Sequence, residues 1–360
     1  MSRNRFFGLT SRVLMMIVAG LLVLSYASIV VNPAKVWLIS LVGIFFIPLS
    51  LVNVFLLLWA IKRRSKSFVI PLLALVPAFF FIGRYVRVDS EEDRIARMPH
   101  TDNTLKVISY NVGRFSLDNE DMTRQECMEK VFTFILDEQA DIVCLQEFHT
   151  EDVDKVKAFL ERRMPEYSSE YYMFPTGQGA FGNLTLSRMP VKDKGVIKFN
   201  ESANLAIYTD YMTRGGSFRV YNCHFESYNI SLSGIVRSIL GKVNAGDVIS
   251  QTGTKMKASI IRRPKQVDKV FSHIENCPVP SFVCGDFNDN PMSYTYFRMT
   301  RGRKDTFVEA GSGFGATYAV LWPVLRIDYV LYPQEFKAVS NRIPRIPYSD
   351  HYPVVTEIEL

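Results

Sequence analysis

The chain has 360 residues, 42 basic and 36 acidic side chains, and a net charge of +6. Eight of the basic side chains (Arg3, Arg5, Arg12, Lys35, Lys62, Arg63, Arg64 and Lys66) fall in residues 1–83, which hold no acidic one, so the remainder is slightly acidic. A near-neutral remainder excludes the broad basic face of a strong non-specific nucleic-acid binder. The five cysteines (Cys127, Cys144, Cys223, Cys277 and Cys284) are odd in number and lack metal-type spacing, so no disulfide framework is expected.

Residues 13–31 form an uncharged apolar run, long enough to cross a bilayer, behind three arginines. The start resembles a signal peptide, but no small-residue cleavage site follows and more apolar sequence does, so the run reads as an anchor. Residues 36–61 are a second run of spanning length. Residues 68–83 are a third, short and interrupted by Pro71 and Pro77. Three transmembrane helices are therefore predicted, making a multi-pass protein of the cytoplasmic (inner) membrane. The positive-inside rule holds the N-terminus and the Lys62–Lys66 cluster in the cytoplasm, which puts the rest of the chain on the extracytoplasmic side. The runs contain no ionisable residue, which argues for an anchor and against a conduction path. A charged tether at 84–103 follows.

Residues 104–112 alternate β-branched and aromatic side chains and predict a strand ending at Asn111. Helical spacing at 121–139 precedes a buried strand at 141–145, which runs into Gln146 and Glu147. A second amphipathic helix is expected at 151–164. Strands at 182–188, 191–211 and 217–225 follow, the last carrying His224 near its end. The stretch from 228 to 269 is the one basic concentration in this part of the chain. It reads as an insertion at about 228–263, with a helix at 233–243, facing solvent, acidic lipid headgroups or a phosphate-bearing substrate. A helix at 264–275 leads to an apolar strand at 280–284, and further strands are expected at 326–331 and at the C-terminus. Strands interleaved with helices predict an α/β fold of two packed sheets flanked by helices, a four-layer α/β/β/α sandwich over 104–360 behind the membrane anchor.

The most informative stretch is Gly285-Asp286-Phe287-Asn288, where an apolar strand runs into a tight polar turn. Residues two apart in an extended chain point the same way, so Asp286 and Asn288 face one space. Other strands end in the same chemistry: Asn111, Glu147, His224, Asp328, and Asp350 with His351. The set is rich in oxygen and free of thiols, which suits a hard cation, Mg²⁺ or else Mn²⁺, better than zinc.

These runs resemble the endonuclease/exonuclease/phosphatase superfamily, whose fold is like that of deoxyribonuclease I. The resemblance is carried by Ser109-Tyr110-Asn111, Leu145-Gln146-Glu147, Gly182-Asn183 through Ser187-Arg188, Asn222-Cys223-His224, Gly285-Asp286-Phe287-Asn288, Arg326-Ile327-Asp328-Tyr329 and Ser349-Asp350-His351, in the family's order. It implies that Glu147 is the principal metal ligand, helped by Asn111 and Asp350. It implies that Asp286 positions or deprotonates the attacking water and that Asn288 holds a phosphate oxygen. His351, paired to Asp328, then acts on the scissile phosphate, with His224 on the opposite side. Asn183 and Arg188 are substrate-side residues, Asn183 and Gln146 mainly shaping the site. The expected function is metal-assisted hydrolysis of a phosphodiester or phosphomonoester at a lipid bilayer. The substrate would be a phospholipid-type or small phosphoester, with nucleic acid as the alternative and a non-catalytic tethered binding protein as the other. No protein partner is inferred.

Overall fold

The structure is a computed structural model that describes residues 3–88, 97–98, 103–116, 122–177, 179–200, 202–213, 215–228 and 245–360. The helix expected at 233–243 and most of the tether expected at 84–103 lie outside the described residues. The chain divides into two units: 1–85 with 228–265 and 289–297, and 86–227 with 266–288 and 298–360.

Among the described residues the larger unit holds fourteen strands: β1 (Val86–Arg87), β2 (Thr104–Asn111), β3 (Ile142–Thr150), β4 (Ser168–Thr176), β5 (Gly179–Ser187), β6 (Val191–Lys198), β7 (Leu205–Thr213), β8 (Gly216–His224), β9 (Ser281–Asp286), β10 (Arg303–Asp305), β11 (Gly313–Phe314), β12 (Asp328–Pro333), β13 (Lys337–Arg342) and β14 (Val354–Glu359). One six-stranded sheet runs β10-β12-β9-β8-β7-β6 and the other β13-β14-β2-β3-β5-β4. Alternation along each strand decides what lies between them. In β2, Leu105 and Val107 pack with Val220, Phe282, Cys284 and Val330 of the other sheet. The alternate residues Ile108 and Tyr110 pack with Val131, Phe132, Ile135 and Leu160 from helices Arg124–Glu138 and Val153–Arg163. The first helix starts where Thr123 and Glu126 form a reciprocal capping box and stops where Gln139 turns left-handed at φ 53°. On the far face of the other sheet, His273 of helix Ala245–Glu275 meets the Tyr221 hydroxyl at 2.8 Å. The layering is thus the expected α/β/β/α sandwich.

Parallel pairing of β8 with β9 sets His224 level with Asp286, and antiparallel pairing of β12 with β9 sets Asp328 level with Asp286. Gly285 makes the first pairing possible. It has φ +136°, and a Cβ there would sit 1.9 Å from the Cys223 carbonyl oxygen.

The smaller unit departs from the three expected spans. Helix Arg3–Tyr26 holds a 21-residue apolar stretch, Leu9–Ile29, long enough to cross a bilayer. The run at 36–61 is two helices, Trp37–Ile44 and Phe46–Lys62, bent by 60°. Pro48 lacks the N–H that would bond the Ile44 carbonyl across the join, so the break falls at Phe45. The third run is short, and Pro77 separates helix Val69–Leu75 from Phe79–Ile82. The helices turn apolar side chains outward, Phe79 and Phe80 being 78% and 75% exposed, while Ser25, Ser28, Ser50 and Asn53 are buried. The Asn53 amide donates to the Val18 carbonyl at 3.3 Å.

Residues 289–297, directly after the Gly285–Asn288 turn, belong to this unit, which no sequence signal indicated. The Ser28 hydroxyl donates to the Met292 carbonyl and the Asn290 amide to the Gly43 carbonyl. Asp289 accepts from the Tyr228 hydroxyl at 2.8 Å and pairs with the buried Arg263 guanidinium at 3.1 Å. Arg263, read at the sequence level as part of a solvated basic insertion, is therefore an interior charge held by a counter-ion.

Candidate active site

The polar strand ends meet in the larger unit. Asp286 is buried at the end of β9, facing the buried Asp328 of β12. Two carboxylates this close are costly unless donors and a positive charge answer them. The Asn111 amide, from the other sheet, donates to Asp286 Oδ2 at 2.9 Å. The Asn288 amide donates to the same oxygen at 3.0 Å, and its backbone N–H to Oδ1 at 2.8 Å. The His351 ring lies between the two carboxylates, Nδ1 2.9 Å from Asp328 Oδ2 and Nε2 4.0 Å from Asp286 Oδ2.

Burial alone would push the His351 imidazole down. The Asp328 carboxylate, reinforced by Asp286 and Asp350, overrides burial and lifts it to about 10. Asp286 also moves up: burial and then Asp328 raise it to about 7, against the lowering effect of His351 and Asn111. His224 is held below the usual imidazole range by burial, despite Glu147. The pocket thus sets a protonated His351 beside a carboxyl that titrates near neutrality.

Glu147 owes its position to a defect in β3. The pairing of β3 with β5 shifts between Leu145 and Phe148, and Glu147 has φ +51°, a left-handed conformation for a side chain that disfavours it. Asn288 also has φ +51°. Strain of this kind costs on the order of 1–3 kcal/mol and persists where surrounding structure fixes it. One Glu147 oxygen pairs with Arg114 at 3.2 Å and the other lies 3.6 Å from His224 Nε2. His224 Nε2 and Asp328 Oδ1 are buried without a hydrogen-bond partner among the described residues.

The structure brings together Asn111, Glu147, His224, Asp286, Asn288, Asp328 and His351. Asp350 is exposed at the rim, accepting from the Ser349 hydroxyl at 3.3 Å. Asn288 spends its amide on Asp286 and on the Phe225 carbonyl (2.9 Å), so it positions the carboxylate instead of offering donors to a phosphate as expected. Asn183 is buried between the sheets, donating to the Asn222 carbonyl at 3.0 Å. Its amide is also within reach of the Leu205 carbonyl at 3.3 Å. Arg188 is not in the site. It precedes the level of β3's start, with its N–H on the Asp141 carbonyl and its guanidinium on Glu166, about 17 Å along the strand from Glu147 at the usual rise per residue. A loop-end arginine after a strand says nothing about which end of the sheet it serves.

Two contributors were missed. Asn222 joins the sheets, accepting from Gln146 Nε2 at 2.8 Å and donating to the Leu184 carbonyl at 3.0 Å. It stands two residues before His224 on the same strand, within the run Asn222-Cys223-His224 that carries the resemblance, but was given no role of its own. Arg114 gives no sequence signal beyond following the Asn111 turn.

Asp286, Asp328 and His351 offer ligand atoms within 4.8 Å of one another, close enough to hold an ion. The hydrogen bond between His351 Nδ1 and Asp328 also suits these three to proton handling. The oxygens of Glu147, Asn111 and Asp350 have the chemistry of a hard-cation site, and the partially exposed Glu147 carboxylate is the one aimed by strain.

The sequence profile of the Endonuclease/Exonuclease/phosphatase family matches residues 108–351, and that of a domain of unknown function matches residues 4–85. No curated protein gives a match. Among solved structures, the endonuclease/exonuclease/phosphatase from Beutenbergia cavernae aligns with TM-score 0.53 and 18% identity over 72% of each chain. The human Nocturnin catalytic domain, solved with a bound sulfate anion, aligns with TM-score 0.52 and 17% identity over 72% of this chain and 95% of its own. The endonuclease/exonuclease/phosphatase from Bacteroides vulgatus aligns with TM-score 0.52 and 21% identity over 71% of this chain and 99% of its own. At these identities the likeness is one of fold.

The raised imidazole gives a pH prediction. Its stabilising pairing with Asp328 is fully present below the free-imidazole range of about 6.5 and is lost as pH climbs through about 10. In Asp328→Asn the His351 ring should lose its proton near or below that free range, as read by NMR of the ring protons. A ring still protonated at about pH 8 in this variant would contradict the assigned cause.

Proposed function

The chain belongs to the endonuclease/exonuclease/phosphatase family, and on that footing we propose that it is a divalent-metal-dependent phosphoesterase anchored in a bilayer. The observation that carries this reading is the meeting of side chains from both sheets, Asn111 and Glu147 from one and His224, Asp286 and Asp328 from the other, around a site closed by His351.

Asp286 orients the attacking water and takes its proton. Buried and close to neutral in its titration, it is a stronger base than a solvated aspartate. Asn111 and Asn288 hold that carboxylate in one rotamer. The His351 imidazolium donates from Nε2 to a phosphoryl oxygen, where negative charge builds during in-line attack, and Asp328 keeps the ring charged and oriented. His224 faces the same space with an Nε2 that has no hydrogen-bond partner among the described residues. Glu147, with Asn111 and Asp350, would hold Mg²⁺ or Mn²⁺, which supplies charge neutralisation at the phosphoryl oxygens.

The smaller unit supports the bilayer part of this reading. Large apolar side chains such as Leu51, Phe55, Phe79 and Phe80 face outward, while small and polar ones such as Ser25, Ser28, Ser50 and Asn53 are buried between helices. With the arginine-flanked N-terminus in the cytoplasm, an odd number of crossings places the catalytic unit outside. A reporter enzyme fused after residue 100 and active only as a cytoplasmic reporter would contradict this orientation.

Purified full chain assayed with Mg²⁺ should hydrolyse at least one of a panel of lipid phosphodiesters, small phosphoesters, DNA and RNA, and chelation should abolish turnover. Glu147→Gln and His351→Ala should each lower kcat by about 10²-fold or more while leaving the unfolding temperature within a few degrees. Full activity in both variants removes the assigned site, and no metal-dependent turnover on any substrate favours a binding protein. Turnover confined to DNA or RNA favours a nuclease.

A further inference from the structure

Residues 314–325 form a loop with a run of exposed apolar side chains beside the catalytic histidine. Phe314, Val320, Leu321, Trp322 and Val324 are 37% to 54% exposed. The Trp322 and Phe314 rings meet edge-on at 5.7 Å, and the exposed Arg345 lies 4.2 Å over Trp322. An aromatic ring with aliphatic neighbours and an arginine is the composition that settles at the headgroup level of a bilayer. In water the same patch is a liability.

The roots of the loop are fixed. The Tyr318 N–H donates to the Leu325 carbonyl at 3.1 Å, closing the loop, and the Ala319 N–H donates to the Asp350 carbonyl at 2.8 Å. The Thr317 hydroxyl accepts from the Asp328 N–H at 3.1 Å, and the Tyr318 ring meets the His351 ring at 5.1 Å. The apolar tip is therefore held in a set relation to Asp328 and His351 by backbone hydrogen bonds on both sides.

At its start, Phe314 of β11 pairs with Val86 of β1, and nearby Val88 is 90% exposed. Val86 follows Ile82, the end of the last apolar helix, by four residues. Four residues reach no further than about 14 Å. The strand that pairs with Phe314 therefore hangs from the last apolar helix on a short length of chain.

We propose that this loop docks on the lipid surface, with Trp322 and Leu321 in the interfacial layer and Arg345 against lipid phosphate, so that His351 is presented to phosphoesters of the membrane itself. The substrate is then a phospholipid-type ester taken from the bilayer. The proposal rests on the bilayer-anchored phosphoesterase reading above.

The protein has three tryptophans, so replacing Trp37 and Trp59 by Phe leaves Trp322 as the sole one. The full chain is reconstituted in vesicles of phosphatidylcholine and phosphatidylglycerol, with bromine carried near the headgroup end of the acyl chains. Trp322 emission should be blue-shifted and quenched by the brominated lipid. In parallel, Leu321→Ser with Trp322→Ser should lower turnover of a vesicle-borne phospholipid by at least about tenfold, the worth of one buried side chain, while turnover of a water-soluble phosphoester stays unchanged. Unquenched Trp322 emission in a chain that remains with the vesicles after carbonate washing overturns the docking loop and leaves the anchor intact. Release of the chain by carbonate overturns the anchor reading, and the docking loop with it. Equal loss on both substrates also overturns the proposal, because it assigns the loop a role in folding the site instead of in reaching lipid.

Discussion

Asp286 and Asp328 face each other across paired strands, both buried, and much of the site exists to answer those two charges. Left alone, one would take up a proton and the other would cost several kcal/mol in desolvation. Three groups offset part of that cost. Asn111 reaches across from the second sheet, Asn288 curls back from the following turn, and the His351 ring places a nitrogen toward each carboxylate. On the proposed reading, the same arrangement that makes the pair tolerable suits it to acid–base chemistry. One carboxyl is left titrating near neutrality and one imidazole is kept charged, so base and acid stand a few ångströms apart.

Because Asn111 comes from the opposite sheet, the packing of the two sheets is also the alignment of the reactive groups. Asn222 and Gln146 repeat the device one layer deeper: the Asn222 amide donates to the Leu145 and Leu184 carbonyls of the opposite sheet, and the Gln146 amide donates to the Asn222 side-chain oxygen. An apolar core alone tolerates small slides between sheets. Amides that must find a particular carbonyl do not, and a misfit leaves buried donors unpaired.

The sandwich was legible because its strands and helices carry clean periods, and the main site was legible because its members sit at strand ends in one chemical kind. What escaped had no period to reveal it. The bulge that turns Glu147 into the pocket and the left-handed Asn288 are backbone features, visible only once pairing is known. Arg188 was assigned to the site because it ends a matching run, but the run's direction carries it to the other end of β3. In the N-terminal unit, hydropathy counts apolar residues and ignores where a proline removes a hydrogen bond, so a single span was expected where the chain bends by 60°. Arg263 was read as part of a basic insertion facing solvent, lipid headgroups or a phosphate-bearing substrate, whereas it pairs with Asp289 in the interior. Composition gives the charges but not their partners.

The account stands on Glu147, Asp286 and His351 sharing one pocket that binds a hard cation. The most direct measurement is anomalous diffraction from crystals of the full chain grown with Mn²⁺. It should show a strong peak against the Glu147 carboxylate, in the space also faced by Asp286 and His351. A pocket without a peak in crystals that bind manganese elsewhere, or with those three side chains pointing into separate spaces, would contradict it.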